Sequence, residues 1–316
     1  MEKHRLIIDT DPGVDDTHAL AYALLNPAFI VEGITTVFGN VPVETATRNA
    51  AWILKLFGRE TIPLFQGAAK PLLGVPRYAP RVHGPEGLGD FTPPPIVPNV
   101  SGRAVDFIID TVMANPGEIT LVALGPLTNI ALAVSVEPRV VTNVRRFVTM
   151  GGAIAVPGNA SAVATANISN DPEAAQIVYR SGLPLTMVGL DVTRRMRISA
   201  AWLKNLDRED WPIGRFLYQI SLFYLRSYEE REKQKGFPCH DLVAMACVDR
   251  PSLFTTRALH VDIETTGALA RGQTIGDLRW WSDAKPNADV CWDVQGEALL
   301  RAYDAMLAST KVVKAS

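Results

Sequence analysis

The chain has 316 residues, of which 47% are hydrophobic and 20% are charged, and 31 Lys and Arg against 33 Asp and Glu give a formal net charge of −2. This composition excludes long disorder, and the near-neutral charge argues against a nucleic-acid partner, which usually requires a basic excess. The length is ample for a large buried core.

Short apolar runs alternate with helical stretches along most of the chain. The order begins with a strand at residues 5–9 and a helix at residues 15–25, which Asn26-Pro27 stops. The later predicted elements are a strand at 31–37, a helix at 43–57, a strand at 119–124, a helix at 127–136, a strand at 146–150, a helix at 172–181 and a strand at 185–190. Because crossover helices join parallel strands, this order predicts an α/β fold with a mostly parallel central sheet flanked by helices.

Two segments interrupt this alternation. Residues 66–101 are rich in Pro and Gly and predict a long functional loop. Residues 207–235 predict a long helix, and we interpret its charge run at 229–233 as a solvent-exposed face. The last predicted elements are a strand at 259–263 and a C-terminal helix near 296–307.

The cysteines and the N-terminus predict the cellular compartment. Cys239, Cys247 and Cys291 are too few and too scattered for a disulfide scaffold, and no Cys-x-x-Cys pair suggests a zinc site. The opening MEKHRLIIDTD has an apolar run of three residues, which predicts neither a signal peptide nor a membrane span. We therefore expect a cytoplasmic protein with reduced thiols and no membrane partner.

An acidic loop, DTDPGVDD at residues 9–16, directly follows the first predicted strand. A cation would relieve the repulsion among its four carboxylates, and oxygen ligands suit hard cations such as Ca²⁺ or Mg²⁺. A sharp turn at Pro12-Gly13 would let Asp11 and Asp16 converge on one ion. Helix capping by Asp15 or Asp16 explains one aspartate but not four, so the loop indicates a metal or catalytic site.

Other predicted strands also end in polar or glycine-rich turns, and the carboxyl ends of parallel strands are where ligands collect. These turns are VFGN at 37–40, LGPLTN at 124–129 and MGG at 150–152. His240 and Asp241 begin an apolar helix at 242–248, where a simple N-cap is an equal alternative for Asp241. The chain has no GxGxxG after the first strand, no P-loop and no GxSxG, which excludes dinucleotide, P-loop and α/β-hydrolase sites.

Together these motifs resemble the nucleoside hydrolase family of the inosine-uridine-preferring type. The resemblance rests on DTDPGVDD and on ITTVFGN at 34–40, HGPEGLG at 83–89, ALGPLTNIA at 123–131, MGGA at 150–153, GN at 158–159, NDPEAA at 170–175 and HD at 240–241. It implies Ca²⁺-dependent hydrolysis of the N-glycosidic bond of ribonucleosides, giving free base and ribose, by a homodimer or homotetramer. Because the motifs draw distant parts of the chain into one site, we expect one domain over residues 1–316, with its active site at the strand carboxyl ends.

The resemblance also implies a ligand set for the metal. Asp11, Asp16 and Asp241 would bind Ca²⁺ through their carboxylates, and Leu124 would bind it through its backbone carbonyl. Asp11 would in addition activate a calcium-bound water as general base. The chemistry agrees, because an anionic site favours the oxocarbenium-like transition state of ribosyl transfer.

Substrate contacts follow from the same resemblance. Asp15 and Asn167 would bind the ribose diol with Asn40 beside them, and Asn159 would reach the 5′-hydroxyl. Thr165 stands where the family commonly has Glu at the 5′-hydroxyl, and loss of a charge-assisted hydrogen bond costs about 1.5–3 kcal/mol. The substitution therefore predicts a weaker grip on the 5′-hydroxyl or tolerance of a 5′-altered ribose.

Histidines and tyrosines are the candidates for contact with the leaving base. His83 and His240 match histidines near the base, and His240 would assist its departure by exchanging a proton near pH 7. Tyr224 and Tyr228 lie four residues apart on one helical face, where base contact and core packing are equal alternatives. The remaining histidines are expected to be structural: His4, His18 and His260.

Several functions stay open at this point. The leading one is hydrolysis of ordinary ribonucleosides, with purines and pyrimidines as equal candidates for the base. The alternatives are hydrolysis of a 5′-altered ribonucleoside and a weakly active protein that binds calcium and a nucleoside. A metal-dependent phosphatase would leave HGPEGLG, MGGA and the HD pair unexplained.

Overall fold

The computed structural model describes residues 3–310, which fold around a nine-stranded sheet. The strands are β1 (His4–Thr10), β2 (Phe29–Thr36), β3 (Leu64–Gln66), β4 (Val100–Arg103), β5 (Ile119–Ala123), β6 (Arg146–Met150), β7 (Leu185–Val188), β8 (Arg197–Ile198), β9 (Phe237–Pro238), β10 (Phe254–Leu259), β11 (Val261–Ile263), β12 (Thr274–Gly276) and β13 (Ala288–Val294). The helices are α1 (Val14–Leu25), α2 (Val43–Leu56), α3 (Pro80–His83), α4 (Ala104–Ala114), α5 (Thr128–Val136), α6 (Val140–Asn143), α7 (Ala166–Asn170), α8 (Pro172–Arg180), α9 (Leu190–Thr193), α10 (Ala200–Lys204), α11 (Pro212–Glu232), α12 (His240–Asp249) and α13 (Gly296–Ala308), with a 3₁₀ turn at Pro251–Leu253.

The main sheet has the strand order β10-β13-β7-β6-β5-β1-β2-β3-β4. Every neighbouring pair in it is parallel except β10 with β13, which is antiparallel at one edge. Two small antiparallel sheets, β8-β9 and β11-β12, stand apart from it. The prediction of an α/β fold with a mostly parallel central sheet is confirmed.

The apolar run of β1 shows why this strand lies at the centre. Leu6 and Ile8 pack into the core formed with α1, α11, α12 and α13, whereas Ile7 packs into the core formed with α4, α5 and α8. Successive side chains of a strand point to opposite faces, so a strand covered on both faces needs apolar residues throughout. Helices therefore flank the sheet on both sides, as predicted.

The predicted strand at 259–263 is wrong in its extent. The chain forms two strands there, β10 up to Leu259 and β11 from Val261, and these pair in different sheets. The break falls at His260, whose ring contacts the Lys285 carbonyl at 2.9 Å and Asp262 at 3.1 Å. Apolar alternation continues across this break, so hydrophobicity alone could not place the change of sheet.

Element ends also differ from the sequence prediction in physically clear ways. The strand predicted at 185–190 ends at Val188, because Gly189 begins the short helix α9. The helix predicted within 207–235 begins at Pro212, which occupies the first helical turn, where a missing N–H costs nothing. Segment 66–101 is largely irregular, as predicted, and contains the short helix α3.

His18 is a core histidine, in agreement with its predicted structural role. Its ring nitrogens bond the hydroxyls of Tyr303 at 2.8 Å and Ser221 at 2.9 Å. Among residues 3–310, no helix combines the length and apolar character needed to cross a bilayer.

Asn129 ties the sheet to the loop after β3, and we expect Asn129→Ala to cost about 3 kcal/mol of unfolding free energy. Its Oδ1 accepts from the Ala68 N–H at 2.9 Å, and its Nδ2 donates to Asp9 Oδ1 at 2.7 Å and to the Thr36 carbonyl at 3.0 Å. Alanine removes all three bonds, although Asp9 Oδ1 keeps its bond from the Thr35 hydroxyl. Urea unfolding measures the loss. The matched control Asn143→Ala, which removes one surface bond, should change stability by less than about 0.5 kcal/mol. Equal losses for the two variants would contradict this assignment.

Candidate active site

The turn between β1 and α1 places the acidic loop at the carboxyl edge of the sheet. Asp16 closes this turn: its Oδ1 accepts from the Thr10 hydroxyl at 2.5 Å, and its Oδ2 accepts from the Gly13 N–H at 3.0 Å and from Asn40 Nδ2 at 2.9 Å. Gly13 is the N-cap residue of α1, so Asp16 satisfies one free N–H of the helix start. The capping alternative therefore holds for Asp16 and leaves the other carboxylates unexplained.

Asp11 lies in a narrow space between two strand ends. Its Oδ2 accepts from the Asn40 N–H at 2.6 Å, and its Oδ1 is buried without a hydrogen-bond partner. A Cβ atom at Gly39 or at Gly125 would collide with this carboxylate. The two glycines that follow β2 and β5 are thus explained by the close approach of Asp11, because only glycine leaves room for it.

Three carboxylates converge beside Asp11. Oxygen atoms of Asp15, Asp16 and Asp241 lie within 4.8 Å of one another, and all three side chains are buried. Asp241 lies in the first turn of α12 behind the N-cap residue Cys239, so the N-cap alternative for Asp241 is wrong. This cluster includes Asp15, which the sequence analysis assigned to binding of the ribose. Asn40 links Asp11 to the cluster, because its backbone N–H donates to Asp11 and its side chain donates to Asp16.

Burial is the largest cause of raised pKa values in this group. It raises the pKa of Asp15 to about 7, raises the pKa of Asp16, and raises the pKa of Asp11 and Asp241 well above the usual range. The charges of neighbouring aspartates raise the pKa of Asp11, Asp15 and Asp241 further. Asp11 Oδ1 and Asp15 Oδ1 have no hydrogen-bond partner although they are buried. A cation would remove both the repulsion and the desolvation cost, so this all-oxygen donor set fits a hard metal ion.

A cavity of about 910 Å³ opens above the acidic cluster. This volume lies within the range of small-molecule sites. The predicted site residues that line it are Asp15, Asn40, His83, Leu124, Asn159, Thr165, Asn167, Tyr228, His240 and Asp241. The structure therefore brings together predicted residues from motifs separated by more than two hundred positions.

One wall of the cavity is built from α7 and the loop before it. Asn167 Nδ2 donates to the Leu124 carbonyl at 2.5 Å and to the Met150 carbonyl at 3.1 Å. Thr165 Oγ1 accepts from the Gly152 N–H at 2.9 Å, and the Asn159 side chain accepts from the backbone of the same wall. Because a carbonyl oxygen has two lone pairs, the Leu124 oxygen keeps one site for a further ligand.

The opposite wall carries the histidines and tyrosines. His83 Nδ1 accepts from the Val14 N–H at 3.2 Å, so its proton is on Nε2. His240 contacts the Thr193 hydroxyl through Nδ1 at 2.7 Å and the Tyr228 hydroxyl through Nε2 at 3.0 Å. Burial lowers the pKa of both histidines to about 3, so both rings are neutral at pH 7. Tyr224 and Tyr228 both line the cavity, and both are also buried in the hydrophobic core, so the structure supports core packing and leaves base contact open.

Thr193 is a site residue that the sequence reasoning missed. It lies on α9, just after the carboxyl end of β7, and its hydroxyl orients His240. Because ligands collect at the carboxyl ends of parallel strands, the location of Thr193 just after β7 could have identified it as a candidate. Its small side chain did not mark it as functional among the apolar residues around it.

Comparisons with known proteins agree with this geometry. The family model described as inosine-uridine preferring nucleoside hydrolase matches residues 6–301. The chain is 38% identical to uridine nucleosidase 1 of Arabidopsis thaliana, over 96% of this chain and 94% of that protein. It is 41% identical to the inosine-uridine preferring nucleoside hydrolase of Leishmania major, over 87% of this chain and 88% of that protein.

A solved structure shows the same fold. The purine-preferring ribonucleoside hydrolase from Gardnerella vaginalis superimposes with a TM-score of 0.90 at 34% identity, covering 98% of this chain and all of that one (100%). The acidic cluster, the cavity above it and these matches point to one conclusion. The chain is an enzyme that hydrolyses the N-ribosyl bond of nucleosides, and it belongs to the inosine-uridine preferring nucleoside hydrolase family.

Proposed function

We propose that the protein is a Ca²⁺-dependent ribonucleoside hydrolase that releases free base and ribose. The observation that carries this proposal is the acidic floor beneath the cavity, where Asp11, Asp15, Asp16 and Asp241 are buried together and two of their oxygens lack a partner. Of these four, Asp15 and Asp241 line the cavity itself. Such a site attracts a cation and favours positive charge above it. The ribosyl group acquires that charge as the N-glycosidic bond breaks.

The donor set supports calcium as the metal. Asp11, Asp16, Asp241 and the Leu124 carbonyl would hold Ca²⁺, whose ligands in proteins are carboxylate and carbonyl oxygens. When bound, Ca²⁺ supplies positive charge that orients the substrate and makes a neighbouring water more acidic. Cysteine and histidine are missing from the proposed ligand set, which separates it from a typical zinc site.

Asp11 is the proposed general base. Its Oδ2 is held by the Asn40 N–H at 2.6 Å, which fixes the carboxylate and leaves Oδ1 free to accept a proton. The attacking water gives its proton to Oδ1 while its oxygen forms the new bond to the anomeric carbon of ribose, and the N-glycosidic bond breaks with its electron pair leaving on the base. A general base of this kind contributes about 10²–10⁴-fold to the rate.

The ribose is proposed to lie between the acidic floor and the α7 wall. Asp15, Asn40 and Asn167 would bind its 2′- and 3′-hydroxyls, and Asn159 with Thr165 would face the 5′-hydroxyl. All five residues line the cavity. Fixing the sugar in this way holds the reacting carbon close to Asp11 and lowers the entropic part of the barrier.

The leaving base is proposed to meet the histidine wall. His240 assists it as part of a hydrogen-bonded chain that runs from Thr193 through the imidazole to the Tyr228 hydroxyl. Because the ring is neutral at pH 7, His240 carries no resident charge and assists by orienting the Tyr228 hydroxyl, which donates a hydrogen bond to the departing base. His83 presents its Nε2–H to the same space as a second hydrogen-bond donor.

A reducing-sugar assay with inosine, uridine, adenosine and cytidine tests the proposed function. Release of ribose from at least one of them, with the matching free base found by chromatography, is expected. No release from any of the four would overturn the proposal and favour a protein that binds calcium and nucleoside without turnover. The assay also decides between purine and pyrimidine preference.

Thr165 motivates the second candidate, a hydrolase that accepts a 5′-altered ribose. Its hydroxyl oxygen already accepts from the Gly152 N–H, so one lone pair and the hydroxyl proton are left to bond the substrate. A single neutral hydrogen bond is worth about 0.5–1.5 kcal/mol, so kcat/KM for 5′-deoxyinosine should lie within about tenfold of that for inosine. Thr165→Val should reduce this difference further, because it removes the hydroxyl. A preference for inosine above about 100-fold would contradict this reading of Thr165.

We also propose one domain over residues 1–316, a homodimer or homotetramer, and a location in the cytoplasm. The family match over residues 6–301 supports the single domain. Exposed apolar side chains that a second copy would cover support the oligomer: Leu269, Leu278, Trp280 and Trp281. Three free cysteines support a reducing compartment. Sedimentation analysis tests the oligomer, and a monomer at micromolar concentration would contradict it.

A further inference from the structure

Residues 77–83, called the rim segment below, form one side of the cavity mouth. The segment carries His83 into the cavity, and its regular structure is limited to the single turn of α3. Because the segment belongs to no sheet, individual hydrogen bonds to its surroundings must hold it in position. The placement of His83 therefore depends on how the rim segment is attached.

Four ties attach the rim segment to different parts of the cavity wall. Three of them join the Ala79 N–H to the Asn40 carbonyl (3.0 Å), the Ser227 hydroxyl to the Arg81 carbonyl (2.8 Å) and the Val14 N–H to His83 Nδ1 (3.2 Å). The fourth tie is made by Asn170, and it connects the rim segment to the α7 wall.

Asn170 grips both backbone groups of a single residue. Its Oδ1 accepts from the Arg77 N–H at 2.9 Å, and its Nδ2 donates to the Arg77 carbonyl at 3.1 Å. These two bonds have the donor and acceptor pattern of a hydrogen-bonded residue pair in an antiparallel sheet. They therefore fix both the position and the orientation of the Arg77 backbone. The Asn170 side chain is 9% exposed, so water competes little for these bonds.

Asn170 also shares its helix with the ribose wall. It is the last residue of α7, three positions after Asn167, which bonds the Leu124 and Met150 carbonyls. The next residue, Asp171, accepts from the Leu72 N–H at 2.9 Å, farther back along the same loop. The Asn-Asp pair of the NDPEAA motif, to which the sequence analysis assigned no function, thus holds the loop at two points.

We propose that Asn170 is a positioning residue that couples the base site to the ribose site. By gripping Arg77 it sets where His83 lies relative to Asn167, and so it sets the affinity for the nucleobase. The inference rests on the proposed function, in which His83 faces the base and Asn167 the ribose. If the bonds from Asn170 to Arg77 are lost, the acidic floor should still catalyse the reaction at a similar kcat, and the affinity for the substrate should fall.

The test is a double-mutant cycle with His83, using the nucleoside that the wild-type enzyme hydrolyses fastest. Asn170→Ala is expected to raise KM about tenfold and to change kcat less than about threefold. In a His83→Ala background the same substitution should change KM less than about twofold, because the positioned group is gone. Asn170→Asp keeps the acceptor for the Arg77 N–H and should give an intermediate KM, which guards against a variant that folds poorly.

Asn287→Ala is the matched control. Asn287 grips Val261 in the same two-way manner, with its Oδ1 accepting from the N–H at 2.8 Å and its Nδ2 donating to the carbonyl at 3.0 Å. It is not among the described residues that line the cavity. This variant should lower the melting temperature about as much as Asn170→Ala and leave KM unchanged.

Two outcomes would overturn the inference. One is an Asn170→Ala variant with wild-type KM, and the other is an equal rise of KM in the wild-type and His83→Ala backgrounds, which is the mark of general structural damage. These outcomes differ from failure of the proposed function, in which the wild-type enzyme itself would release no ribose.

Discussion

Asp11→Asn is expected to lower kcat by about 10³-fold and to leave the fold intact. The amide cannot take a proton from the attacking water, although its oxygen can still accept the hydrogen bond from the Asn40 N–H. Replacing a carboxylate by an amide of the same size also relieves repulsion from its acidic neighbours, so the metal-free variant should melt no lower than the metal-free wild type. Single-turnover measurements with the enzyme in excess and at saturating concentration report the chemical step without the contribution of product release.

Asp9→Asn is the control for this experiment. Asp9 lies two residues before Asp11, on the buried strand β1, and its Oδ1 accepts from the Thr35 hydroxyl at 2.5 Å and from Asn129 Nδ2 at 2.7 Å. Burial raises the pKa of Asp9 to about 7, so a neutral amide resembles a form that the wild-type side chain already adopts. We expect this variant to keep kcat within about threefold of wild type. Near-full activity of Asp11→Asn would show that Asp11 is not the base.

Removal of calcium is expected to abolish turnover and to lower stability. A metal bound only by the folded protein, at about 100 times its dissociation constant, stabilises that protein by about 2.7 kcal/mol. Without it, the buried carboxylates of Asp11, Asp16 and Asp241 repel one another in a site that water cannot screen. Ribose release and thermal melting are measured together before and after treatment with a calcium chelator.

Chelator already saturated with calcium is the matched control, because it adds the same compound without removing the ion. Asp241→Asn provides a second arm, since it removes one proposed ligand and should raise the calcium dissociation constant about 100-fold or more in a direct titration. Unchanged turnover and unchanged melting after chelation would contradict the calcium assignment and would leave the family membership intact.

The acidic loop shows how much of the site was predictable from the sequence. Four carboxylates in eight residues after an apolar strand carry a repulsion that has few structural explanations, so Asp11, Asp15 and Asp16 were recognisable locally. The parallel sheet then predicted which other turns would meet them, because all carboxyl ends share one edge. In this way the turns that carry Asn40 and Leu124 were predicted without a contact map, whereas the residues of the α7 wall were predicted from the family resemblance. Both sets line the cavity.

Properties set by burial and by tertiary hydrogen bonds were not predictable. A free histidine side chain has a pKa near neutrality, whereas burial lowers the pKa of His240 to about 3 and keeps the ring neutral. Its position between the Thr193 and Tyr228 hydroxyls follows from tertiary packing. In the sequence Asn170 lies just before the helix predicted at 172–181. Its hydrogen-bond partner Arg77 lies far away along the chain, in an irregular loop. Local patterns determine where polar groups emerge from the sheet, and packing determines what each group then contacts.

The proposal that calcium and ribose meet on the acidic floor is tested most directly by crystallography. A crystal grown with calcium and soaked with ribose, measured for anomalous scattering, is predicted to show the ion bound by Asp11, Asp16, Asp241 and the Leu124 carbonyl. The sugar should lie above it, against Asn167. An ion bound elsewhere, or a ribose bound away from these carboxylates, would contradict the account.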